Sequence, residues 1–135
     1  MRRHRLAVAA LTTAPLAIAL VSGQQAPASV FTAAQATAGR AAYQANCASC
    51  HLPDLMGRNE APQLAGGNFM NTWRARSTKD LFEFIQSTMP PTGGDIGAEQ
   101  YLAITAFILQ ANGAPAGSQA FTATTDVPVG RAATG

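Results

Sequence analysis

The spacing of apolar positions divides the chain into an apolar head, a helical segment, a long irregular loop, two further helices and a polar tail. In "TAAQATAGRAAYQANCASCH" the positions Ala36, Gly39, Tyr43 and Cys47 recur at three- and four-residue steps, which predicts one face of a helix. "LPDLMGRNEAPQLAGGNFMNTW" loses that period and is rich in Gly, Pro and Asn, so it reads as a loop with one short helical turn around Asn68 to Arg74. A loop of that length in a small domain usually has a functional reason. Ser77 and Asp80 are spaced as a capping box, and "DLFEFIQST" continues as a helix with Leu81, Phe84 and Ile85 on one face. This helix must stop before Pro90, and "MPPTGGDIG" follows as a stiff turn. "AEQYLAITAFILQAN" carries a broad apolar stripe of Tyr101, Ile104, Phe107, Ile108 and Ala111, closed by Gly113 and Pro115. The last segment, "AGSQAFTATTDVPVGRAATG", has no helical period and few large residues, which predicts an extended or disordered tail over 114–135. No run alternates as a strand does. The pattern predicts an all-α domain over 30–113.

The head, "MRRHRLAVAALTTAPLAIALVSGQQAPAS", has a positive start, an apolar stretch from Leu6 to Val21 and small residues after it. This is the layout of a signal peptide over 1–23, cut between about 23 and 28, and it predicts a periplasmic or otherwise exported protein. The apolar stretch is short for a bilayer span and contains Pro15, so membrane association is expected only if the segment is retained. Cleavage changes the charge. Nine basic residues face seven acidic ones in the whole chain. Without Arg2, Arg3 and Arg5 the mature protein carries a net charge of about −1. A nucleic-acid partner has no electrostatic footprint here.

Both cysteines of the chain lie in Cys47-Ala48-Ser49-Cys50-His51. In an oxidising compartment two cysteines normally pair, but a C-x-x-C ring is too small to constrain much of the unfolded chain. A structural zinc site wants four protein ligands, more than the mature chain's cysteines and single histidine provide. A redox dithiol belongs after a strand in a βαβ unit, and no strand is predicted. The pattern C-x-x-C-H matches c-type haem attachment: two thiols add across two vinyl groups, and the adjacent imidazole faces the iron. The expected cofactor is one haem c, covalently bound through Cys47 and Cys50, with His51 as an iron ligand. A plain Cys47–Cys50 disulfide is the remaining alternative. With His4 lost in the head, His51 is the one histidine of the mature chain, so a second axial ligand is a methionine, a lysine or none. Met56 is too near His51 to reach the opposite face, and Met70 reads as a packed side chain. Met89 follows a helix, precedes Pro90 and Pro91, and lies far enough along the chain to pass round the macrocycle. It is the expected second metal ligand.

These residues resemble a class I monohaem c-type cytochrome from about Ala36 to Gly113. The resemblance implies a small all-α fold of three to four helices around one covalently bound haem, with long loops. It implies that the first and last helices cross at Gly39 and Tyr43 against Ile104 and Phe107. It assigns to Pro62, in "APQLAGG", the backbone carbonyl that receives the His51 Nδ1 proton. Trp73 is implied as a donor to a haem propionate, with core filling as its alternative, and Arg58 and Arg74 are further propionate candidates. The pattern "W…DLFEFIQSTMP…YLAITAFILQANG" is also similar to haem c domains that accompany bacterial quinoprotein dehydrogenases. The implied role is that of a periplasmic single-electron carrier rather than an enzyme. Redox proteins are its expected partners: a quinoprotein dehydrogenase as donor, and an oxidase or another cytochrome as acceptor. A haem c enzyme or gas sensor with an open sixth position is the alternative.

Overall fold

Thr32 ends an extended segment, and its side chain accepts the Gln35 N–H to start the first helix, α1 (Ala33–Asn46). This computed structural model describes residues 25–135. The expected signal segment over 1–23 lies outside the described residues. Cys47 breaks the helical run, and one further turn, α2 (Ala48–His51), follows. After a long loop come α3 (Gly67–Trp73), α4 (Thr78–Thr88), α5 (Ala98–Ala111) and α6 (Val129–Ala132). Among the described residues there is no strand, and no helix is long and apolar enough to cross a membrane. The all-α expectation holds. Six helices replace three to four because α2 is a separate turn and α6 lies in the tail.

The centre of the fold is the crossing of α1 and α5. Ala36, Gly39 and Tyr43 are buried on one face of α1, as their spacing predicts. A methyl group on Gly39 would overlap the Ala103 backbone carbonyl and touch Phe107 Cβ at 3.0 Å. Tyr43 packs on Phe107 with ring centroids 5.3 Å apart. The helices therefore meet at Ala103 and Phe107, while Ile104 is buried beside that contact. In α5 every residue from Tyr101 to Leu109 is buried, and α1 and α4 both pack against it.

α4 begins with the full capping box, Ser77 and Asp80 each bonding the other's backbone N–H. Its buried side chains are Thr78, Leu81, Phe82 and Ile85. Phe84, placed on the core face by the sequence pattern, is instead 44 % exposed. Phe82 takes that role because Phe121 of the tail covers it, with ring centroids 6.3 Å apart.

The tail, residues 114–135, is largely extended apart from α6, and it packs against the domain. Phe121, Val129, Ala132 and Ala133 join the core. Gln35 holds the Phe121 backbone by both its amide groups, at 2.8 and 2.7 Å. The Thr78 backbone N–H donates to Val127 O (2.8 Å) and its hydroxyl to Thr125 O (2.8 Å). Val129 and Gly130 donate to the carbonyls of Arg76 and Arg74 beyond α3. The domain extends to its last residues because side chains on α1 and α4 satisfy the tail's polar backbone.

Candidate functional site

The Cys47–His51 turn is held at both ends by α1. Cys47 N–H bonds the Tyr43 carbonyl at 2.8 Å, and the His51 and Cys50 N–H groups return to Cys47 O. The buried Tyr43 hydroxyl donates to Leu52 O at 2.6 Å, which ties the chain after His51 back to the helix. Burial pushes the ionisation of that hydroxyl upward. Cys47 and Cys50 are free thiols, the first half-buried and the second exposed. Burial, and next the neighbouring Cys50, push the Cys47 thiol up to about 11, so it is neutral at physiological pH.

His51 is 7 % exposed, and its Nδ1 lies 2.9 Å from the Pro62 carbonyl oxygen. A carbonyl can only accept, so Nδ1 carries the proton and Nε2 presents its lone pair. The loop that brings Pro62 there turns sharply. Leu52, Leu55 and Asn59 have positive φ, as does Gly57. Gly57 N–H bonds the His51 carbonyl at 2.9 Å. A Cβ on Gly57 would stand 2.3 Å from the Ala61 carbonyl oxygen and 2.7 Å from both the carbon and the oxygen of the Pro62 carbonyl. The absence of a side chain at Gly57 is what lets the acceptor reach His51.

Met89 caps α4 in extended geometry (φ −121°, ψ 140°), and the Met89–Pro90 peptide is cis. Its carbonyl accepts the Tyr101 hydroxyl at 2.7 Å. Met89, Pro90, Pro91, Gly93 and Tyr101 line a cleft of about 450 Å³, and the side chains of Cys47, Cys50 and His51 do not. The structure thus brings His51 and Pro62 into direct contact and sets Met89 in a cleft between α4 and α5.

Trp73 is buried between Phe69 and Phe84, with centroids 6.4 and 5.4 Å away, and the Arg76 guanidinium lies 4.2 Å over its ring. Among the described residues its indole N–H makes no hydrogen bond. Arg58 is exposed, and its Nη2 donates to Ser49 O at 2.8 Å, which braces the cysteine turn. Arg74 packs its stem where Gly130 passes. The sequence reading had no part for Gly57, Tyr101 or Asn112 at the site. A buried tyrosine needs a partner for its hydroxyl, which was the available signal for Tyr101; Gly57 and Asn112 left none.

The donor set fits haem c. Two thiols stand three positions apart, with two residues between them, followed by a buried imidazole whose Nδ1 is already engaged. Among the described residues no group of three or more His, Cys, Asp or Glu could hold a metal ion, so nothing favours a zinc site. A family model described as "Cytochrome C oxidase, cbb3-type, subunit III" matches residues 34–108. The match spans more than half of the chain, which therefore belongs to this family of monohaem c-type cytochrome domains and to its haem-based electron-transfer chemistry. No curated protein and no solved structure matches the chain.

Proposed function

We propose that this protein is an exported, periplasmic single-electron carrier in which Cys47 and Cys50 would hold haem c covalently and His51 and Met89 would ligate its iron. When bound, haem supplies a one-electron Fe(III)/Fe(II) couple. The observation that carries the reading is the buried His51 with its Nδ1–H on the Pro62 carbonyl, because this leaves Nε2 alone as the donor and fixes the ring plane. Covalent attachment would add the S–H of Cys47 and of Cys50 each across a vinyl C=C, with no net gain or loss of electrons. The Met89 thioether, as a soft ligand, would favour the reduced state. The Tyr101 bond to its carbonyl supports Met89 as a ligand held in place rather than a mobile side chain.

The proposed electron donor is a dehydrogenase of the quinoprotein kind, and the acceptor an oxidase or another cytochrome. The family's printed description supports an oxidase as a partner class. Small redox interfaces are brief and of limited area, and with a net charge of about −1 steering contributes little.

Protein exported with the haem-attachment machinery should gain the mass of one haem, and Cys47→Ser with Cys50→Ser should abolish that gain. Cyclic voltammetry should give one reversible wave that persists over many cycles. A catalytic current with peroxide, or an unmodified mass, would defeat the carrier reading.

A further inference from the structure

Asn112 stands at the C-terminal end of α5, 1 % exposed. Its Nδ2 donates to Leu64 O and to Ile108 O, both at 2.9 Å, and its Oδ1 accepts the Gly66 N–H at 2.9 Å. The Ile108 contact alone would satisfy the helix end. The other two reach across to the loop and grip it on either side of Ala65, just beyond Pro62. From the opposite direction, Leu64 N–H bonds Leu55 O at 2.8 Å. Among the described residues no other side chain of α5 bonds this loop. A buried amide is tolerated only when its partners are all present, so the loop can shift only by breaking this clamp.

We infer that Asn112 is a positioning residue for the His51 ligand: it fixes the 62–66 segment so that the Pro62 carbonyl stays on the Nδ1 proton. This rests on the carrier reading above. The sign of the effect follows from the chemistry. A strong Nδ1–H···O=C bond makes Nε2 a better donor, and a better donor stabilises the ferric state. Loosening the loop weakens the bond, weakens the donor and raises the reduction potential.

The test is a redox titration of the holoprotein for wild type, Asn112→Ala and Asn112→Ser, with Phe121→Ala as a control that destabilises the tail where it packs on Gln35 of α1 and Phe82 of α4. Serine can return its hydroxyl to the Ile108 carbonyl but is too short for the loop, so it guards against an alanine variant that fails to fold. The expected result is a rise of several-fold, up to tenfold (about 59 mV for one electron), in the reduction constant of the Asn112 variants, and none for Phe121→Ala. An unchanged potential in the Asn112 variants, or an equal rise in Phe121→Ala, would overturn the inference. Wild-type protein lacking Soret absorption would instead overturn the carrier reading, and the inference with it, before any variant is compared.

Discussion

Gly57 and Gly66 both have positive φ, at 66° and 82°, yet they differ in what surrounds them. At Gly66 a Cβ would meet nothing within 4 Å, whereas at Gly57 it would strike the carbonyls of Ala61 and Pro62. Alanine in the left-handed region costs about 1–2 kcal/mol. Gly66→Ala should cost about that much, and Gly57→Ala more, by about 1–3 kcal/mol of overpacking. Urea unfolding of the two variants checks the difference, and equal losses would mean that the Pro62 carbonyl yields freely. The motif that points to haem attachment was legible in five adjacent residues because thiol spacing and the following imidazole are local requirements. Pro62 was named through resemblance alone, since a backbone carbonyl leaves no signature in residue type. Gly57 and Asn112 act through contacts across the fold, and single residues of common type carry no sequence signal for that.

At the scale of elements, the α1–α5 crossing sets the distance between the cysteine turn and α5. Gly39→Ala gains about 1 kcal/mol of helix propensity, but its methyl overlaps the Ala103 carbonyl, part of a backbone that cannot rotate away. The overlap outweighs the gain, for a net loss of about 2 kcal/mol or more. Thermal unfolding should show this as a fall in Tm of roughly 10 °C for a domain of this size; an unchanged or higher Tm would place the crossing elsewhere. The period of α1 and the Ser77–Asp80 box were readable because they express local geometry. The face of α4 was misread at Phe84, because Phe82 is buried by a segment that the helical period does not describe. Trp73 lies in the short helix that the sequence predicted, and its ring is enclosed by Phe69, Phe84 and Arg76, a setting that follows from tertiary contact.

The whole molecule is closed by its tail. Residues 114–135 are held by backbone bonds to Gln35, Thr78, Arg74 and Arg76 and by the single large anchor Phe121. Backbone pairing to scattered partners needs no periodicity, which is why composition pointed to disorder. Phe121→Ala should cost about 3–5 kcal/mol, a large share of a total stability of roughly 5–15 kcal/mol. In hydrogen exchange the amides of Thr78, Val129 and Gly130 should be protected in wild type and lose protection in Phe121→Ala. Exchange at unstructured rates in wild type would return the tail to a disordered state.

In the proposed carrier His51 and Met89 would both hold the iron. An optical spectrum of the exported protein tests it most directly, recorded oxidised, then reduced, then with carbon monoxide. The predicted result is a low-spin c-type spectrum that carbon monoxide leaves unchanged, with a red methionine–ferric charge-transfer band that Met89→Ala removes. Ready carbon monoxide binding by the wild-type protein, or a band that survives in Met89→Ala, would contradict it.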